Sequence, residues 1–205
     1  MIDRIPRRVR VAFSRPEATP AVDAAEAAPE DRGEVDFVAY GEDCVLFGRT
    51  ILNADRLSDM LNNNDEYVLA GVTVERFDGE PPMTVDEIAI PRDELLLVHA
   101  GGPRGDARRR HRTAQQHIAI QIGRYKVRGF YHALPGTDPV LAMRRRRPMI
   151  PLTNARIQYL IGDEMRESRV EALIVNRDQI DWFEAVEPDR AEFPVGPKRV
   201  AVHKA

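Results

Sequence analysis

The chain has 205 residues, 43% of them hydrophobic and 31% charged, enough to bury the core of one ordinary domain or two small ones. A net charge of −3 argues against a protein that coats nucleic acid along its whole length, and the single cysteine, Cys44, excludes an internal disulfide and any cysteine-based zinc site. No apolar run approaches the roughly 18 residues of a spanning helix, and Met1-Ile-Asp-Arg-Ile-Pro-Arg-Arg8 lacks the apolar stretch of a signal peptide, so a cytoplasmic protein without a membrane partner is expected.

In chain order, Arg8-Val-Arg-Val-Ala-Phe13 alternates polar and apolar residues as a strand or basic arm would. Residues 14–34 are rich in Ala, Pro and Glu and nearly free of large apolar side chains, the composition of a flexible linker. The region 35–100 reads as an acidic β module with strands over Val45–Leu52, Glu66–Phe77, Thr84–Ile90 and Glu94–Ala100. One short helix fits Asp55–Leu61, with Leu57, Met60 and Leu61 on one face and an acid at its start. Gly101 to Gln116 is an Arg-rich linker punctuated by glycine and proline. A second β module follows over 117–187, with strand-like runs at His117–Gly129, Met149–Ile161, Ser168–Val175 and Gln179–Val186, and 188–205 is a tail. Asp78-Gly79 and Gly162-Asp163 sit where tight hairpin turns belong.

Phrases recur between the two modules. Ile90-Pro-Arg-Asp-Glu-Leu lies over Val175-Asn-Arg-Asp-Gln-Ile, Tyr67–Val74 over Ile150–Ile157, and Phe47-Gly48 over Arg128-Gly129. The offsets drift only between 81 and 85, which small loop differences explain. Strands this short and numerous bury an apolar face by curling into a barrel or facing a second sheet. The expected fold is mainly β: two tandem small antiparallel β-barrel modules behind a disordered N-terminal arm. Arg56-Leu-Ser-Asp-Met-Leu-Asn62, Leu69–Val74 and Val175–Ile180 resemble an uncharacterised family of bacterial small-barrel domains, similar in outline to Sm-like and SH3-like barrels. The resemblance covers 35–100 well and 117–186 less well, where Asp138-Pro-Val-Leu-Ala-Met143 replaces Arg-Leu-Ser-Asp. It implies a fold and no activity, and the RNA-binding phrases of true Sm proteins are missing.

Few catalytic patterns survive. Neither phosphate-cradling glycine motif occurs, and Ser14, Ser58 and Ser168 lie outside any Gly-x-Ser-x-Gly. None of the five histidines pairs at the i, i+4 spacing of a helical zinc motif. No cofactor and no metal are expected. Cys44, between Asp43 and apolar residues, reads as a buried structural thiol with a raised pKa. Asp86-Glu87 and Asp93-Glu94 read as solvated acids, and Arg92-Asp93 with Arg177-Asp178 as turn residues. Trp182 and Phe183 fall on opposite strand faces, with Trp182 expected in the core or between modules. The tripeptide Arg104-Gly105-Asp106 is read as chance, and an arginine pattern similar to cyclic-dinucleotide barrels lacks its companion phrase.

Charge carries the strongest signal. Residues 31–100 hold five basic and sixteen acidic side chains, a net of −11, whereas 101–150 hold twelve basic and two acidic, a net of +10. Eleven of those twelve cations are arginine, the side chain that meets phosphate or carboxylate bidentately. The cationic residues singled out are Arg108, Arg109, Arg110, Arg112, Arg124, Lys126, Arg128, Arg144, Arg145, Arg146 and Arg147. Tyr125, Phe130 and Tyr131 interleave with some of them as a nucleic-acid surface would. The reading preferred here is a non-enzymatic binding or assembly protein acting through charge-complementary protein contacts. The alternative is RNA or DNA backbone binding through Arg108–Arg112 and Arg144–Arg147.

Overall fold

The computed structural model describes residues 33–100 and 113–187. The expected arm and linker, the Arg108–Arg112 cluster and the tail lie outside the described residues. Among the described residues ten strands form a single antiparallel sheet. The first half contributes β1 (Glu34–Tyr40), β2 (Cys44–Ile51), β3 (Glu66–Arg76), β4 (Met83–Pro91) and β5 (Leu97–Ala100), with helix α1 (Leu57–Asn63) between β2 and β3. The second contributes β6 (Ala114–Ile122), β7 (Tyr125–Ala133), β8 (Met149–Ile161), β9 (Glu164–Asn176) and β10 (Trp182–Ala185), with α2 (Pro139–Arg145) between β7 and β8. The strand order is β10-β6-β7-β8-β9-β5-β1-β2-β3-β4. The sheet is not closed into a barrel: β10 and β4 form its two ends. The expectation of two closed small barrels is therefore corrected to one continuous sheet, because β5 pairs with β9 as well as with β1.

Each half runs through the same order, last strand first, and the registers correspond residue by residue. Phe37 faces Gly48 as Ile118 faces Gly129, and Leu69 faces Ile88 as Leu152 faces Leu173. Tyr40 faces Leu97 as Gln121 faces Trp182. These pairs stand 81, 83 or 85 residues apart, the spacings at which the sequence phrases recur.

The correspondence extends to an irregularity. The β2·β3 register shifts between Phe47 and Arg49, and the β7·β8 register between Arg128 and Phe130. Opposite the first shift Gly71 has φ +58°, and at the matching place Asn154 has φ +47°. Glycine adopts that left-handed conformation freely, and asparagine is among the few other residues that tolerate it. The neighbouring strands approach there so closely that a Cβ on Gly48 would lie 3.0 Å from Val72 Cγ2, and one on Gly129 3.3 Å from Ala155 Cβ. This is the physical reason for the recurring glycines.

Buried alternating residues then fill two cores. Phe37, Leu46, Leu61, Leu69 and Leu95 centre the first, and Ile118, Ile122, Val127, Leu152 and Leu173 the second. Each core borrows across the seam: Met149 and Ile174 join the first, and Tyr40, Val45, Phe77 and Leu97 the second. The first helix begins two residues later than expected, and its N-cap falls on Arg56, with no side-chain cap bond. The second helix was not anticipated, although its start is conventional. Asp138 Oδ1 accepts from Val140 N (2.8 Å) and Leu141 N (3.1 Å), and Pro139 opens the first turn. β1, too, lay outside the expected strands, and the run His117–Gly129 divides into β6 and β7 around a turn at Gly123.

Asn154→Gly is expected to leave stability within about 0.5 kcal/mol of the parent, whereas Asn154→Val, forced to positive φ, should lower it by about 1–2 kcal/mol. Urea denaturation followed by circular dichroism measures both.

Candidate functional site

The seam between the halves fixes where the charged groups stand. Leu97 faces Val175 and Val98 faces Ile174 in the β5·β9 ladder. Asn176, buried, extends it: its backbone N–H donates to Leu96 O (2.9 Å), and its Nδ2 donates to Leu95 O (2.9 Å) and Arg92 O (3.2 Å). At the other side Asn62, near the end of α1, brackets Met149. Its Nδ2 donates to Met149 O (2.9 Å) and its Oδ1 accepts from Met149 N (3.1 Å). Asn62 thus acts as a one-residue strand partner for the start of β8.

Next to this contact stand Arg144, Arg145, Arg146 and Arg147, all exposed. Four consecutive arginines between Met143 and Pro148 read as an exposed loop in the sequence, but Arg144 and Arg145 form the last turn of α2, where the helix dipole favours cations. Their backbone is held from behind by Arg177, whose Nη1 donates to Arg144 O (3.0 Å) and to Arg146 O. Arg177 is itself oriented by Asp178 Oδ1 (2.7 Å). Arg147 Nη1 reaches Asn63 Oδ1 across the seam (2.6 Å), and the Arg146 guanidinium lies 5.8 Å from the Tyr131 ring centre. The result is a fixed corner that presents guanidinium groups to solvent. The Arg177-Asp178 phrase serves the corner as a brace, and Arg92 does the same for α1 by donating to Asn64 O (3.2 Å).

The other cations from the sequence reading do not join this corner. Arg124 lies at the turn between β6 and β7, where its Nε donates to Glu42 O (3.1 Å) and its guanidinium covers Phe77 at 4.1 Å. Lys126 is exposed on β7. Arg128 is only 5% exposed, because it lies beside the bend at Gly129, and a phosphate in solution does not reach it. Arg108, Arg109, Arg110 and Arg112 lie outside the described residues. The interleaved aromatics are corrected as well. Tyr125 and Tyr131 are core residues, and Phe130 is half-buried with its ring stacked on His117 at 5.0 Å. Strand alternation turns Tyr125 and Tyr131 inward and sets Phe130 on the opposite face against His117, so the three rings form no common platform for bases. Trp182, expected in the core or between the halves, is half-buried on the end strand β10, while its neighbour Phe183 packs on the second core.

Among the described residues no three His, Cys, Asp or Glu side chains gather to hold a metal ion, and no helix is long and apolar enough to cross a membrane. Cys44 is buried. Burial first, then Asp43 and Glu94, push its thiol up to about 11 against the pull of Arg76, so at neutral pH it is no nucleophile. Tyr40, Tyr67 and Tyr125 are likewise held above the ordinary phenol range, chiefly by burial. Comparisons with family models, with curated proteins and with solved structures find no match for this chain.

Cys44 keeps its proton in the fold to about pH 11 but loses it near pH 9.0 when unfolded. Stability should therefore hold below about pH 9 and decline as the pH rises towards 11, by about 3 kcal/mol from this group alone. Thermal melts from pH 7 to 11 check this, and Cys44→Ala should flatten part of the decline.

Proposed function

We propose that the protein is a non-enzymatic binding and assembly protein whose Arg144–Arg147 corner engages the carboxylates of a protein partner. One observation carries this reading: four consecutive exposed arginines stand on a backbone fixed by Arg177. Holding like charges together has a Coulomb cost that an anionic partner offsets. Arginine's planar fork suits a carboxylate. A polypeptide is favoured over a nucleic acid because Tyr125 and Tyr131, which would have supplied base stacking, belong to the core. We read the halves as two copies of one five-strand module, similar to small Sm- or SH3-like barrels but opened along one edge and joined through β5 and β9. The matching registers and the paired bends at Gly71 and Asn154 support that reading.

The alternative, backbone binding to RNA or DNA through Arg108–Arg112 and Arg144–Arg147, draws on the arginine bias of 101–150. Fluorescence anisotropy with labelled polyglutamate, single-stranded RNA and duplex DNA, over about 50 to 300 mM salt, separates the two. Polyglutamate should bind, and replacing Arg144, Arg145 and Arg146 with serine should weaken it about tenfold, or about 1.4 kcal/mol. Tighter RNA or DNA binding, with a steep salt slope of about 0.9 per phosphate lost in the same variant, would overturn this reading in favour of the alternative.

A further inference from the structure

The seam has two sides, and each half carries the counterpart of both. In β5, Leu97 and Val98 are fully covered because β9 lies along them. The residues at the same register in the second half, Trp182 and Phe183 of β10, stand at the end of the sheet and are only half-buried. Val186 N donates to His117 O on β6. By the alternation of an antiparallel strand, the N–H groups of Phe183 and Ala185 point away from β6, into the side that is open among the described residues. At the opposite end of the sheet, β4 occupies the place that β9 occupies in the second half, and it too has an open side among the described residues.

We propose that a second copy of this chain docks head to tail, with its β4 laid antiparallel along β10, so that the β5·β9 seam is repeated between chains. Transferring the seam's register sets Trp182 opposite Ile90 and Phe183 opposite Ala89 of the second copy. Charge agrees with the placement. In the internal seam the last two residues of α1, Asn62 and Asn63, meet Met149, the first residue of β8, and Arg147 two residues before it. In the repeated seam the last two residues of α2, Arg144 and Arg145, fall beside the first residue of β3, Glu66, and Asn64 two residues before it; Asp65 lies between these two, exposed like Glu66 and paired with Arg92 of its own chain at 2.9 Å. Neutral asparagines serve inside the chain, and opposite charges serve between chains. This inference rests on the carboxylate-binding reading and names the partner.

One substitution weakens the repeat. Pro91 stands where Asn176 stands in the internal seam, and it brings neither the amide N–H nor the carboxamide that bond to Leu96, Leu95 and Arg92. Proline on an end strand is a common device against uncontrolled pairing. Association between chains is accordingly reversible, and it closes into a ring or extends as a filament according to the rotation per copy.

Sedimentation velocity of the full chain, over a hundredfold range of concentration, is the test. The mass should rise in multiples of 23.2 kDa as concentration rises, and fall with added salt. Arg144→Glu with Arg145→Glu should abolish the assembly, as should Asp65→Lys with Glu66→Lys, each with an unchanged circular dichroism spectrum. An equimolar mixture of the two variants should restore it, because each open end then meets its opposite charge. Pro91→Asn, which supplies the missing amide, should tighten association about tenfold or more. A mass of one chain at every concentration in both the parent and Pro91→Asn overturns the proposal, as does failure of the mixed variants to reassociate. Polyglutamate binding by a chain that stays single would leave the carboxylate reading intact while removing this one.

Discussion

The β5·β9 seam is the constraint on which the rest of the molecule depends. β5 is four residues long, yet its Leu97 enters one core and its Val98 the other. Two short ladder positions would be a weak join between sheets, since each hydrogen bond adds only about 0.5–1.5 kcal/mol net. What makes it strong is that the groups around it cannot be satisfied elsewhere. Buried Asn176 closes off the carbonyls of Leu95 and Arg92, and Tyr125 donates to Gly41 O (2.7 Å) from inside the second core. Leaving such buried acceptors unsatisfied would have a larger cost than any one bond contributes. The two cores interpenetrate at this line, so neither half completes its packing alone.

The same backbone plan carries two different surfaces. Both halves bend at one place, on Gly71 in the first and Asn154 in the second, and both end their helix beside the next strand. On that shared frame the first half sets asparagines at the helix end and acids at the start of β3, and the second sets arginines at the helix end and Met149 at the start of β8. The charge contrast between the halves is therefore arranged around a contact geometry the chain already uses once, rather than spread as two diffuse fields. On the reading proposed above, the arginine corner meets a protein surface rather than a flexible polyanion.

Much of this was legible in the sequence. The recurring phrases mark pairs that the registers place in equivalent positions, and Asp78-Gly79 and Gly162-Asp163 do make turns, with Gly79 and Gly162 at positive φ. Other features required tertiary information. β1 alternates Val35, Phe37 and Ala39 with exposed Glu34 and Asp36 and half-buried Val38, a pattern too short to stand out from the Ala-, Pro- and Glu-rich sequence before it. The Asp138-Pro139 helix start was visible as a cap signal but was masked by the arginines that follow. The inward turn of Tyr125 and Tyr131 depends on register, since shifting a strand by one residue exchanges its faces. Pairing of β5 with β9 instead of barrel closure cannot be read from local pattern at all, because a strand carries no local mark of its partner.

The most direct measurement is amide hydrogen exchange, resolved by residue, at low and high protein concentration. The account predicts that Asn176 N–H, bonded to Leu96 O, exchanges only through global unfolding at both concentrations. It predicts that Phe183 N–H, on the open side of β10, exchanges readily in dilute solution and becomes protected when concentrated. Fast exchange at Asn176 while the interiors of both halves remain protected would contradict the seam as the join, and exchange at Phe183 that ignores concentration would contradict its reuse between chains.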